Sequence, residues 1–553
     1  MKNLSRVFTV CALLFAMGCA GPQELAQNIE SAETDTTATA AIFSAEEATN
    51  DWHLNSPNAS PFYGTSVERA YEEFLADKSP QKKVIVAIID SGTDIEHEDL
   101  TANIWVNNGE VAGNNLDDDE NGYVDDVHGW NFIGGPDSAH VDKDTYEITR
   151  LYSKLGNQYA GIEENEVPED QLEEYNYYLE IKEAFENRVQ ENNQQLMQVS
   201  QILQAVGSAK EALNTSSIDS VSMEELVPTE EDTPEVQQAK QILAMIKNNG
   251  ATEQAIEETQ EFYEHLSGLS EYGLNPEFDP RDIVGDDYED LSNRFYGNND
   301  VNGPSNEHGT HVSGIVGAVR DNNLGTKGIA GNIELMILRT VPDGDERDKD
   351  VANAIRYAAE NGANVINMSF GKGYSPEKIY VDAAIRFADS TGVLMVSGSG
   401  NDGQNVDSTD SYPSRFYDDG GFAENYLSVG ASSWESDSTL AAGFSNYGKE
   451  TVDLFAPGVD VYSTYPNNEY KMNSGTSMAS PVVAGVAALI MSYYPDLSTI
   501  EVKDIMLSTV TKVDQQVLKP ASQEYISFSE LSATGGIINA YEALKLAEQR
   551  SNQ

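Results

Sequence analysis

The sequence predicts an α/β fold, a parallel sheet with helices on both faces, carrying an additional all-helical insertion. Three observations lead there. Continuous apolar runs, "KVIVAIID" (83–90), "IELMILRT" (333–340), "ANVINMSF" (363–370) and "GVLMVSGSG" (392–400), suit strands buried on both faces. Helical patterns at Val351–Glu360 and Ile379–Ser390 separate successive runs, the alternation that builds parallel sheets. Between about 160 and 275 the texture changes. Apolar residues there recur three or four apart, and residues 161–280 hold five Lys/Arg against 27 Asp/Glu.

The first element in chain order is an export segment. Lys2 and Arg6 precede the apolar run Val7–Met17, which is too short to span a bilayer comfortably. "AMGC" ends the run with small residues before Cys19. This resembles a bacterial lipoprotein signal, in which Cys19 becomes the lipidated N-terminus and anchors the chain to a membrane surface. Ala16 departs from the leucine common in that pattern, and plain cleavage near Gly18–Ala20 is the alternative. Cys11 and Cys19 are the two cysteines of the chain, so the mature part has no disulfide; bound calcium is then a natural source of rigidity outside the cell. Residues 20–50 are polar, rich in Ala, Thr, Ser and Glu, and read as a flexible tether. A net charge of −59 makes nucleic acid and anionic membrane surfaces improbable electrostatic partners.

The stretch "DWHLNSPNASPFYGTSVERAYEEFL" (51–75) reads as N-terminal packing of the main domain. After the four strand-like runs, helices at about 480–494, 500–510 and 537–548 complete a large core. Within the insertion, three amphipathic segments are expected, marked by Leu172 to Val206, by Val236 to Ile246 and by Ile256 to Leu266. The expected organisation is a signal at 1–19, a tether at 20–50, a main domain at 51–159 and 276–550, and an acidic helical insertion at 160–275.

Three glycine-flanked stretches carry the chemistry. "MNSGTSMASPVVAGVAALI" (472–490) surrounds Ser477 with small residues ahead of an apolar helix, whose N-terminus favours negative charge. Gly475 is expected to supply a conformation that a Cβ would disfavour, and Pro481 to occupy the first helical turn. A glycine-rich turn before a core helix explains the stretch equally well, because a serine needs a base before it is a nucleophile. "NEHGTHVSGIVGAV" (306–319) offers His308 at the start of a tightly packed helix, with His311 one turn further in. "VIVAIIDSGTDIEHEDL" ends an apolar strand on Asp90, where open α/β sheets place ligands; alone, such an aspartate is as readily a helix cap.

The order Asp–His–Ser is that of subtilisin among the unrelated triads. With "VAIIDSGTDIEHEDL", "HGTHVSGIVGA" and "SGTSMASPVVAGVAAL" in that order, the sequence resembles the subtilisin-like serine peptidases over about 83–148 and 281–548. The resemblance implies a subtilisin-like fold and a serine endopeptidase acting on proteins or peptides through an acyl-enzyme. Asp90 would orient His308, and His308 would take the Ser477 proton. Asn401, in "VSGSGNDG", would complete an oxyanion hole with the Ser477 N–H; on its own it reads as a loop asparagine tolerating a left-handed turn. "MSFG" resembles the segment that pairs with substrate backbone, which gives Ser369, Phe370 and Gly371 that role.

His308 follows Asp90 by 218 positions, far more than the few dozen usual in the family, and the helical insertion accounts for much of the excess. Ahead of it, "NLDDDENGYVDDVHGWNF" (115–132) alternates oxygen donors around a glycine: Asp117, Asp119, Asn121, the Tyr123 carbonyl and Asp126 are the expected calcium ligands. The twelfth position is His128 rather than glutamate, so a shorter loop than an EF-hand is expected. Asp99 with "RDNNLGTKG" (320–328) resembles a second, weaker calcium site of the family, and "GDDYEDLSN" (285–293) is acidic enough to be a third candidate. No organic cofactor and a monomer are expected, and too few residues separate Cys19 from Lys83 for the usual inhibitory prodomain. The expected protein is a lipid-anchored, extracytoplasmic serine endopeptidase of the cell envelope. The rival reading is a surface binding lipoprotein that uses the helical insertion on a peptidase-like scaffold.

Overall fold

The computed structural model describes residues 48–57 and 62–553, so the expected signal, Cys19 and nearly all of the tether lie outside the described residues. Two compact units result. One is Ile148–Glu277; the other takes in the described chain up to Glu147 and from Phe278 onward.

The larger unit is built on strands β1 (Val84–Asp90), β2 (Gly129–Asn131), β3 (Ile333–Arg339), β4 (Val365–Met368), β5 (Leu394–Gly398), β6 (Tyr426–Ser432) and β7 (Leu454–Pro457). It continues with β8 (Val461–Tyr465), β9 (Glu469–Asn473), β10 (Thr511–Lys512), β11 (Gln516–Leu518), β12 (Tyr525–Ser527) and β13 (Gly536–Ile537). Nine of them form one sheet in the order β10-β13-β7-β6-β5-β4-β1-β3-β2, parallel except at β10–β13. The four expected runs are β1, β3, β4 and β5, at its centre.

Alternation along β1 explains the two helical layers. Val84, Val86 and Ile88 face a core containing Val312 and Val316 of helix Glu307–Gly317 and Val482, Val486 and Ile490 of helix Thr476–Tyr493. Ala87 and Ile89 face the opposite core, with Ala354 and Ile355 of helix Asp348–Glu360 and Ala384 and Ile385 of helix Lys378–Ser390. Each fully buried Val or Ile side chain among them contributes about 1.5–3 kcal/mol relative to exposure. Trp52, Leu54, Val67 and Leu75 join the first core, which is how the segment before the sheet is held. Helix Thr476–Tyr493 is the one described helix long and apolar enough to cross a membrane, and its 94 % burial makes it a core helix.

The smaller unit consists of helices Glu147–Tyr159 (from its second residue), Leu172–Ala212, Pro234–Asn248 and Glu253–Gly268. The last three correspond to the three expected segments. Thr233 and Thr252 cap two of them by accepting from Val236 N and Ala255 N, with Pro234 at N1. Ile202, Val206, Leu243 and Ile246 lie in its core. The unit begins earlier than the expected 160, because helix Glu147–Tyr159 packs on the long helix: Tyr152 stacks on Phe185 at 4.2 Å, and Tyr159 meets Tyr175 and Tyr178. Gly156 and the polar residues around it hide that stripe in the sequence.

Candidate active site

Strand β1 ends on Asp90, whose side chain points to the face carrying helices Glu307–Gly317 and Thr476–Tyr493. The chain order β1, β3, β4 places β3 on one side of β1 and β4 on the other, so the sheet's direction of growth reverses beside Asp90. Clefts form at the carboxyl ends of strands at such a point. Met368 and Gly398 end β4 and β5 at the same edge, which delivers Ser369–Gly371 and Asn401 to it.

His308 is the second residue of its helix, and its Nδ1 lies 2.7 Å from Asp90 Oδ1. Gly309 is required beside it: a Cβ there would fall 1.9 Å from the Gly92 carbonyl oxygen, so only glycine lets the helix approach the β1 turn. Asp90 Oδ1 also accepts from Ser91 N at 2.7 Å, and Oδ2 is buried without a partner. Burial lowers the His308 pKa, but the Asp90 charge and hydrogen bond outweigh it, and the net shift is upward from 6.5. The ring is 40 % exposed, so its Nε2 edge is reachable from the cleft. His311 behaves oppositely. Fully buried, with Nε2 3.0 Å from the Lys471 carbonyl, it is lowered to about 3 and stays neutral.

Ser477 is the second residue of helix Thr476–Tyr493, among N–H groups without intrahelical partners. Its Oγ donates to the Ser369 carbonyl at 3.0 Å, and no hydrogen bond joins it to His308 among the described residues. Pro481 corrects the expectation: it sits in the second turn, not the first. Its missing N–H would have bonded the Ser477 carbonyl, which accepts from Ser369 Oγ at 2.9 Å instead. Ser369 Oγ also receives Asn367 Nδ2 and touches Ser480 Oγ, and Ser480 Oγ donates to Asn367 Oδ1, each at 2.9 Å. Sequence reading missed this buried cycle, which ties β4 to the serine helix; the proline after SMAS was the available signal.

Gly475 is also corrected. Its φ of 162° is ordinary extended backbone. What it provides is space: a Cβ would lie 3.6 Å from Ser477 N and 3.7 Å from Asn401 Nδ2, so both donors border one small volume. Asn401 Oδ1 accepts from Thr476 N at 2.9 Å and Thr476 Oγ1 at 3.1 Å, which leaves Nδ2 as its donor toward that volume. The hairpin β8–β9 holds the two helices in register: Ser463 and Thr464 hydroxyls donate to the His311 and Thr310 carbonyls, both at 2.7 Å, and β9 leads into Ser474–Ser477.

A family model described as "Subtilase family" matches residues 81–523, most of the chain. The chain belongs to the subtilase family. Subtilisin DY of Bacillus licheniformis is 38 % identical to it over 223 residues, 40 % of this chain and 76 % of that protein. Subtilisin BL of Lederbergia lenta is 37 % identical over 209 residues, covering 38 % and 71 %. The cell wall-associated protease of Bacillus subtilis (strain 168) is 35 % identical over 244 residues, covering 44 % and 25 %. This subtilase is a serine-type endopeptidase, a hydrolase of peptide bonds.

The acidic loop of the subtilase converges only in part as expected. One oxygen each of Glu110, Asp119 and Asp126 lie within 4.8 Å of one another. Asp117 turns both oxygens to the backbone, accepting from Asn121 N at 3.0 Å and Gly122 N at 2.8 Å. Asn121 Oδ1 accepts from Tyr123 N, its Nδ2 donates to Asp126 Oδ2 at 3.0 Å, and the Tyr123 phenol donates to the Arg294 carbonyl. Burial raises Asp126 to about 6, with Asp119 nearby adding to the shift, against hydrogen bonds from Tyr357, Asn121 and Asn107. Glu110, unforeseen from sequence, accepts from Asp118 N and Asp119 N through Oε1, while its Oε2 is buried and unpartnered. Three clustered carboxylates with an orphaned oxygen fit a hard cation. Asp99 does not present free oxygens: Asn322 Nδ2 (2.6 Å) and Tyr470 OH (3.2 Å) donate to them. The acidic stretch 285–293 is structural too, Asp286 pairing with Arg281 at 2.7 Å and Lys349 at 2.6 Å.

Proposed function

We propose that this subtilase cleaves peptide bonds through an acyl-enzyme, with Asp90, His308 and Ser477 as its triad and Asn401 Nδ2 with Ser477 N–H as its oxyanion donors. The 2.7 Å contact between His308 Nδ1 and Asp90 Oδ1, with the ring on a helix packed beside the serine helix, is the observation that carries this reading. Asp90 accepts the Nδ1–H and so leaves Nε2 as the base. Rotation about χ1 moves Ser477 Oγ from the Ser369 carbonyl to Nε2. Oγ then attacks the substrate carbonyl carbon as its proton passes to Nε2. The oxyanion meets Asn401 and the Ser477 N–H. Its collapse breaks the C–N bond, and the leaving amine takes the proton from Nε2. Water repeats the sequence on the acyl-enzyme. Ser369, Phe370 and Gly371, just past the last residue of β4, pair with substrate backbone in extended form, a sequence-tolerant mode of recognition.

The subtilase acts outside the cytoplasm as a monomer, held at the envelope by lipid on Cys19 and carrying its acidic helical unit between the triad aspartate and histidine. Calcium is the cation this reading assigns to Glu110, Asp119 and Asp126, with Asp117, Asn121 and Tyr123 shaping the loop; its part is to neutralise the clustered carboxylates. A fluorophosphonate probe tests the peptidase reading. Labelling of the full chain is expected, and its complete loss in Ser477→Ala. An intact protein that takes no label is instead a binding lipoprotein on a peptidase scaffold.

A further inference from the structure

Lys372 directly follows Ser369–Gly371, and its side chain is 2 % exposed. Buried lysines demand partners, and those of Lys372 come from far along the chain. Its Nζ donates to Glu147 Oε2 at 2.7 Å and to the Glu346 carbonyl at 2.8 Å, and lies 2.8 Å from Asp348 Oδ1. Its backbone is fixed as firmly: Lys372 N donates to the Tyr412 carbonyl at 3.0 Å, and Tyr412 N donates back at 2.9 Å. Tyr412 sits between Ser411 and Pro413, which line a small cavity with Ser397–Ser399 at the end of β5. One residue is thus locked to a pocket wall through its main chain and to an acidic cluster through its ammonium.

The identity of those acids matters. Glu147 is the last residue before the helical unit begins at Ile148. Its own N donates to Asp345 Oδ2 at 2.8 Å. Next to Asp348, Arg347 binds Asp144 through Nε (2.7 Å) and Nη2 (2.9 Å), and Asp279 at 2.8 Å. The point where the chain leaves the sheet domain therefore lies in a buried group of ion pairs, with Asp144, Glu147, Arg347 and Asp348, to which the exposed Asp279 at the re-entry point is tied through Arg347, and Lys372 links that group to the segment proposed to carry substrate.

We infer that Lys372 is a positioning residue for substrate binding: its pairing with Glu147 and Asp348 sets the path of Ser369–Gly371, so the root of the helical unit controls affinity for extended peptides. This rests on the peptidase reading above. Loss of uniform binding raises KM and leaves kcat alone, whereas damage to the fold or triad lowers kcat. Removing one member of a buried pair strands a charge, so the main variant is Glu147→Gln/Lys372→Met, in which Asp348 keeps donors from Ser375 Oγ (3.0 Å) and Glu377 N (2.9 Å).

The experiment uses the full chain and two substrates, a tetrapeptide p-nitroanilide reaching along Ser369–Gly371 and p-nitrophenyl acetate, which is too short to do so. For the tetrapeptide, KM is expected to rise about tenfold with kcat held within about twofold. The short ester and the fluorophosphonate labelling rate should be unchanged. Lys372→Arg, which keeps the charge, should recover most of the KM. If the double variant is insoluble, Glu147→Gln alone serves, with a smaller KM rise of about threefold. An unchanged tetrapeptide KM, or a parallel fall of kcat on both substrates, overturns the inference. A wild-type chain that takes no label and cleaves neither substrate overturns the peptidase reading itself, and this inference with it.

Discussion

Asp90 holds the imidazole of His308 in place and raises its affinity for a proton, and the two effects have separable consequences. Burial alone would push His308 below 6.5; the facing carboxylate reverses this. A base must be neutral to accept the serine proton, so the acid limb of kcat/KM should lie above pH 6.5. Asp90→Asn should move that limb downward while lowering kcat by about 10⁴, a size carried over from other triad enzymes. A limb in the wild type below 6.5, or one unmoved in Asp90→Asn, would contradict the assignment. The same shift bears on stability with the opposite preference. With the folded pKa raised, the charged pair stabilises fully below about 6.5 and loses its contribution as pH climbs through the raised value. Activity is gained in the window where that contribution fades. At this scale the sequence was legible where glycine-rich stretches mark close approach: the stretches around Asp90 and His308 do come together, at 2.7 Å. It was illegible for Ser369 Oγ, because the acceptor left open by Pro481 becomes visible only once β4 and the serine helix are side by side.

Elements were recognised according to how long and how continuously apolar their sequence runs are: β6 is buried throughout, yet Ser428 and Gly430 interrupt it. Strands β1, β3, β4 and β5 are continuous apolar runs and announce themselves. Strand β7 has four residues and ends in proline, β2 has three, and β8–β9 is a half-exposed polar hairpin, so none carries a period of its own. That hairpin nevertheless joins the histidine and serine helices through Ser463, Thr464 and Lys471. The acidic loop shows the same limit. Of the five residues that the alternating donors singled out, Asp119 and Asp126 come together, and the third carboxylate of the cluster, Glu110, is contributed from outside the motif. Three carboxylates within 4.8 Å repel one another unless a cation or proton intervenes. Saturating calcium after chelation should therefore raise the melting temperature of the sheet domain. Occupancy at about 100 times Kd is worth roughly 2.7 kcal/mol, or some degrees in a domain of this size. Glu110→Gln with Asp119→Asn should abolish the calcium response, whereas Asp117→Asn, whose oxygens face the backbone, should keep most of it. Equal responses in both variants would remove Glu110 from the site.

At the scale of the whole molecule, a peptidase sheet and an acidic helical unit share one chain, and each has a hydrophobic core of its own. The two clusters flanking the sheet draw no residue from 148–277, and the Ile202–Leu243–Ile246 cluster draws only on that segment. The cluster at the roots explains how the sheet domain tolerates so long an excursion. Asp144 and Asp279 bind the same guanidinium of Arg347, so the two ends of the excursion are held close together. Loop-closure entropy grows only slowly with length, and ends pinned in this way add little further penalty. Replacing Ile148–Glu277 with a Gly/Ser linker of about six residues, whose reach of roughly 20 Å exceeds what such a junction requires, should leave a folded and reactive sheet domain. Fluorophosphonate labelling is expected within about twofold of the full chain, since Asp90, His308, Ser477 and Glu147 are all retained. The excised form should also bind anion-exchange resin more weakly, because 148–277, with seven Lys/Arg against 26 Asp/Glu, carries nearly a third of the net −59. Thermal melting separates the outcomes. A labelled, cooperatively melting product establishes that the helical unit is an addition to a self-sufficient peptidase. A product that neither melts nor labels, beside a soluble Ser477→Ala control, means that the sheet needs the helices in order to fold.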